Sequence, residues 1–215
     1  MDEPLRAEDL FSQKGWVNVG YDRHLWIPCP PEFPPDTNLE TYTVTYAKLW
    51  WEASGLKYRK RDVTTLASML AAIHADAWGD LDLHFLHIPC HLALIHLPDP
   101  RLIPLPVYFG IWRAWGEREE RLRQLTQADE PEAIEPPIVE EFTTGKLGTG
   151  LKTLHYRRGP DGSSVHVYLN YAWRSERYET DLRLFTFWDD LGRLQRAIPD
   201  IDELARVTEI VPRVK

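Results

Sequence analysis

Five of the chain's eight histidines and one of its two cysteines fall between Ile73 and Pro98. They are His74, His84, His87, Cys90, His91 and His96, interleaved with Asp76, Asp80 and Asp82. Imidazole, thiolate and carboxylate are the ligands zinc gathers into a tetrahedron, commonly from short local spacings. A cysteine beside a histidine could also form a nucleophilic pair. The spacing opposes both uses. Pro89-Cys90 reads as the turn of a hairpin joining a strand over Leu81–Ile88 to one over Leu92–Leu97, and strand side chains alternate between faces. His84 and His91 then point one way. His87 and His96 point the other, with Leu83, Phe85, Leu92 and Leu94, as core histidines do.

Only Asp82, His84 and His91, with Cys90 at the tip, could converge from that hairpin. The triplet Ile-Pro-Cys occurs at Ile27–Cys29 and again at Ile88–Cys90. If those two loops met, Cys29, Cys90 and His91 would supply three ligands. The metal-binding alternative is therefore a zinc site drawn from Cys29, His84, Cys90 and His91, serving a metal-dependent enzyme. The expectation is that no cofactor is present.

Other catalytic patterns fail on context. None of the six serines lies in a G-x-S-x-G elbow. Gly145-Lys146-Leu147-Gly148-Thr149-Gly150 lacks the earlier glycine of a phosphate loop, and a strand pattern follows it where a helix is required. Glu140-Glu141 and Asp189-Asp190 are adjacent carboxylates with no assignable acid and base roles. Asp189 or Asp190 has a simpler use as the N-cap of a helix starting at Leu191.

The carboxy-terminal strands offer a different kind of chemistry. On a strand over Val165–Arg174, alternation sends Val165, Val167, Leu169, Tyr171 and Trp173 to one face. It sends His166, Tyr168, Asn170 and Arg174 to the other. The following strand presents Asp181, Arg183, Phe185 and Phe187 together, and the preceding one His155 and Arg157. If these sets coincide, the sheet carries an arginine- and aromatic-rich face of the kind enriched at protein interfaces. The alternatives are a solvated face of cross-strand ion pairs or a face covered by a helix. The expected partner-binding residues are His166, Tyr168, Asn170, Arg174 and Arg183.

These residues need a framework. A hairpin is expected from Trp16–Val19 and Leu25–Ile27. A helix follows from an Asp36, Thr37 or Asn38 cap to Gly55, with a stripe of Leu39, Tyr42, Tyr46, Leu49 and Trp50. A second helix begins at Asp62 with Val63, Leu66, Met69, Leu70 and Ile73 on its apolar face. The basic run Lys57–Arg61 between them reads as a solvated loop. A charged surface helix is expected over Glu117–Gln127, and strands over Ile138–Thr143, Leu151–Arg158, Val165–Arg174 and Asp181–Trp188. Two short helices separated at Pro199 and a closing strand at Val207–Val211 end the pattern.

Strand runs with helices grouped between them predict an α+β fold, a mainly antiparallel sheet with helices packed on it, or a sandwich of two sub-sheets. The 215 residues fit one domain, with the acidic, proline-rich segment 129–137 as candidate internal boundary. A net charge of −8 disfavours general nucleic-acid or anionic-membrane binding. No apolar run reaches the roughly 18 residues a membrane helix needs. The start, Met1-Asp2-Glu3-Pro4, lacks the basic and apolar regions of a secretory signal, so the expected location is the cytoplasm with both thiols reduced. The excess of arginine over lysine is the bias of a GC-rich bacterial genome. The leading expectation is a non-catalytic binding or accessory domain engaging a protein partner. A metal enzyme is the second reading. A regulatory domain with a small-ligand pocket near Trp50, Trp51 or Trp112 is the third.

Overall fold

The computed structural model describes residues 14–33, 35–78, 90–159 and 162–213. In chain order these form β1 (Gly15–Val19), β2 (Trp26–Cys29), α1 (Leu39–Ala53), α2 (Lys60–Trp78), β3 (Leu92–His96) and β4 (Leu105–Arg113). They continue as α3 (Arg118–Thr126), β5 (Ile138–Thr144), β6 (Gly148–Arg158), β7 (Val165–Ser175), β8 (Thr180–Trp188), α4 (Leu191–Val207) and β9 (Thr208–Pro212). Seven strands make one antiparallel sheet in the order β2-β3-β4-β8-β7-β6-β5, and β1 pairs with β9 in a second, two-stranded sheet. The fold is α+β, as the strand and helix patterns predict.

Contacts divide the chain into two compact units, one of residues 22–108 and one of residues 1–21 with 109–215. The acidic segment 129–137 lies inside the second unit. Ile134 donates its amide to the Tyr156 carbonyl at 2.8 Å, and Ala133 bridges to Arg157, so this segment is stitched to β6.

Residues 22–108 are built on the helix pair α1–α2. Asn38 caps α1 by accepting the Thr41 amide at 2.8 Å, and Gly55, at φ +67, turns the chain after Ser54. The buried stripe of α1 is Thr43, Ala47 and Trp51 rather than the expected line through Leu49, which is 53% exposed. Helix α2 buries Val63, Leu66, Leu70 and Ile73 as predicted, adding Ala67 and Ala77. The strand expected over Leu81–Ile88 lies outside the described residues.

The other unit is the meander β5-β6-β7-β8 with a helix on each face. Helix α3 packs on β6 and β7, burying Leu122, Leu125 and Thr126. It is not the free surface helix its charges suggested. Helix α4 packs on β5, β7 and β8. Pro199 does not cut α4 in two. Alanines and leucines on both sides of the proline bury one continuous face through Leu194, Ala197, Ile201 and Leu204, and that burial outweighs the lost amide donor. The expected β1–β2 hairpin does not form. β1 pairs with β9, Trp16 opposite Val211, and β2 pairs with β3, Trp26 opposite His96.

Gly150 in β6 shows how tightly the meander is packed. A Cβ there would collide with the Ala172 carbonyl oxygen and approach the Trp173 ring to 2.5 Å. Gly150→Ala therefore forces backbone on β7 to move, and urea unfolding should show a loss of about 1–3 kcal/mol relative to wild type.

Candidate functional site

The register of β6, β7 and β8 brings the expected polar sets together. His155 lies opposite Tyr168 and Tyr168 opposite Phe187. Thr153 faces Asn170, which faces Phe185, and Arg174 faces Asp181. Cross-strand partners share a face, so His155, Tyr168, Asn170, Arg174, Asp181 and Arg183 do form one surface of the sheet. That surface is covered. Tyr168 is 6% exposed, Asn170 0%, Arg174 9% and Arg183 3%. Of the five expected partner-binding residues only His166, half-buried with its Nε2 3.4 Å from the Ser164 hydroxyl, remains near solvent.

The buried layer is held by charge. Arg174 donates to both Asp181 oxygens at 2.7 and 3.1 Å, and to the carbonyls of Trp115 and Gly116 at 2.7 and 2.8 Å. Arg121 reaches down from α3 to within 3.5 Å of the same carboxylate, stacked 4.8 Å over Trp115. Arg183 has no carboxylate partner among the described residues. Its guanidinium donates to Asn170 Oδ1 at 2.5 Å and to Gln127 Oε1 at 3.3 Å, and lies 4.6 Å over the Phe185 ring. Burial, with the positive charge of Arg121 behind it, pulls its pKa down to about 9. Asn170 passes the network on to Thr153, whose hydroxyl donates to the Thr126 carbonyl of α3. Sequence alternation finds the members of this layer. It carries no signal that α3 would close over them.

His155 sits at the edge of the layer, 1% exposed, stacked at 5.0 Å and 0° on Tyr168. Neither ring nitrogen has a hydrogen-bond partner among the described residues. Burial, then the charges of Arg157 and Arg183, lower its pKa to about 4.

The candidate metal ligands fare differently. Cys29 is buried in β2, and burial pushes its thiol up to about 11. Cys90 is half-buried with its thiol 3.4 Å from the Leu92 carbonyl. His91 is also half-buried, and His84 lies outside the described residues. No group of three metal-ligating side chains gathers among the described residues. His96 is buried against Trp26 at 4.8 Å. His74 places its Nε2 2.9 Å from the Pro30 carbonyl. Both serve packing.

Two open features remain in the second unit. A groove of about 840 Å³ is rimmed by Glu117, Glu119, Glu120, Asp129 and Glu130. Among the described residues strand β5 ends the large sheet, paired on one side to β6. Around it Ile134, Ile138 and Val139 are 46%, 53% and 37% exposed.

No family model matches the chain, and no curated protein matches it. Among solved structures the fold is similar to LpqN of Mycobacterium tuberculosis, a protein involved in cell envelope biogenesis. The TM-score is 0.51 at 8% identity, over 94% of this chain and 86% of that one. At that identity the likeness concerns the fold alone.

Two measurements follow. Asp181→Asn leaves Arg174 and Arg121 buried without their shared anion, and should cost about 3–5 kcal/mol in urea unfolding. For His155, the unfolded chain binds a proton below its ordinary pKa of 6.5 that the folded chain refuses until about 4. Stability therefore falls as pH drops through that window. His155→Phe keeps the ring stack and removes the proton. Its urea midpoint should drop less than wild type between about pH 7 and about pH 4.5.

Proposed function

We propose that the protein is a non-catalytic binding domain that takes an extended, basic segment of a protein partner along the outer edge of β5. The exposed edge strand carries the reading. A strand at a sheet edge has an unpaired row of amide and carbonyl groups, onto which another chain can add as a further strand. Natural edges are usually blunted by lysine, proline or a covering loop. β5 has the sequence Ile-Val-Glu-Glu-Phe-Thr-Thr, with Ile138 to Glu141 exposed.

Its anchoring supports the same role. Phe142 packs edge-on against Tyr171 at 5.1 Å and Trp173 at 6.1 Å, fixing the carboxy-terminal half of the strand. The preceding half presents apolar Ile138 and Val139 beside Glu140 and Glu141. Upstream lie exposed Ile134 and Glu135.

Charge selects the occupant. A second copy paired antiparallel across this edge would bring glutamates near glutamates, which repels. A strand alternating lysine or arginine with β-branched residues would carry its cations on one face, against Glu140 or, with the opposite facing, against Glu141. The acidic groove beside α3 and the net charge of −8 favour the same sign of partner. On this reading the partner face lies at the rim of the sheet, where the sequence alone suggested its middle.

A peptide alternating lysine and valine should bind in fluorescence anisotropy, more weakly as salt rises, and far more weakly to Glu140→Lys/Glu141→Lys. The same peptide with alternate backbone nitrogens methylated keeps its charges but loses strand pairing. Undiminished binding of the methylated peptide would sink the strand-addition reading.

A further inference from the structure

In residues 22–108 a second site is built from the junction of the two helices. A groove of about 760 Å³ is lined by Trp51 of α1, Leu56 and Lys57 of the connecting loop, and Arg61 and Met69 of α2, with Arg59, Asp62, Thr65, Pro100 and Arg101 completing it. Its size is that of small-molecule sites, about 300–1,000 Å³. The loop is fixed rather than loose. Trp51 Nε1 donates to the Lys57 carbonyl at 3.1 Å, tying the connection back to α1.

The charges of this groove are unbalanced in a protein that is acidic as a whole. Arg101 is neutralised locally by Asp99, its Nε 2.9 and 3.1 Å from the two carboxylate oxygens. Lys57, Arg59 and Arg61 are exposed and hold no ion pair among the described residues. Asp62 is the single carboxylate lining the groove with them. Two arginines and a lysine lining one depression carry donors suited to phosphate or carboxylate oxygens, which arginine binds through paired N–H groups. The amino end of the 19-residue helix α2 adds partial positive charge to the same place.

The floor decides the rest of the ligand. Trp51 is 5% exposed, so it offers no open ring face on which a base or sugar could stack. Leu56 and Met69 are half-buried. Their flexible, apolar surfaces, with Pro100, suit an alkyl chain, and methionine adapts well to such a shape.

We infer that this groove binds a small amphipathic anion, an alkyl phosphate or carboxylate with its head on Lys57, Arg59 and Arg61 and its chain over Leu56 and Met69. The site is separate from the β5 edge, and its test is independent of that reading.

Calorimetric titration with dodecyl phosphate below its micelle concentration, inorganic phosphate and dodecyl maltoside separates the contributions. Dodecyl phosphate should saturate one site. Inorganic phosphate should bind about tenfold or more weakly, and the neutral maltoside should bind no better than phosphate. Arg59→Glu/Arg61→Glu should weaken dodecyl phosphate about tenfold or more while circular dichroism stays unchanged. The milder Arg59→Gln/Arg61→Gln serves if the reversal unfolds the chain. Met69→Gln, which removes apolar surface without adding charge, should weaken dodecyl phosphate and leave inorganic phosphate unaffected. Equal affinity for the maltoside, or dodecyl phosphate binding that survives loss of both arginines, would overturn the inference. So would phosphate binding as tightly as its dodecyl ester.

Discussion

One buried carboxylate organises the unit formed by residues 1–21 and 109–215. Asp181 is fully buried on β8 and bonded to Arg174 of β7, while Arg121 approaches it from α3. Arg174 in turn holds the carbonyls of Trp115 and Gly116, where the chain leaves β4 for α3. Two strands, a helix and a loop therefore share one negative charge. A buried anion is tolerated only when its hydrogen bonds are complete, and completing these requires all four elements to be in place together. That requirement explains why a helix as charged as α3 sits on a sheet rather than in water.

The same layer contains a cation with no such anion. Arg183 is held by neutral amides and an aromatic ring, its Nε without a hydrogen-bond partner among the described residues, and burial makes its proton easier to lose. Gln127, which supplies one of those amides, is the left-handed residue that ends α3, at φ +56. The helix terminus and the buried charge are thus fixed by one side chain. This layer is a structural network that specifies how helix and sheet meet.

Much of this was legible in the sequence where local period decides the outcome. The strands β5 to β8, the cap at Asp190, the stop at Gly55 and the membership of the Arg174–Arg183 face all follow from alternation or turn chemistry. What was illegible depended on partners distant in the chain. β1 looked like one arm of a hairpin with β2 because the two are adjacent, yet its complement is β9. Pro199 looked like a break because a proline removes a donor locally, and only packing along Leu194 to Leu204 restores continuity. Alternation named the shared polar face correctly but could not tell water from a covering helix. The run Lys57–Arg61 read as a solvated loop and is exposed throughout, with Lys60 and Arg61 already forming the first turn of α2.

The pairing of β1 with β9 has a consequence for how the protein is made. Asn18 and Glu209, whose side chains join across these strands at 2.7 Å, are 191 residues apart. During synthesis at about 5–20 residues per second, β1 leaves the ribosome roughly 10 to 40 s before its partner exists. Throughout that interval Trp16 and Val17 have no strand to lie against, and the segment Gly15–Val19 is an unpaired apolar edge. The second sheet is therefore completed only after translation has passed β9. A cell making this protein carries that exposed strand on every nascent chain.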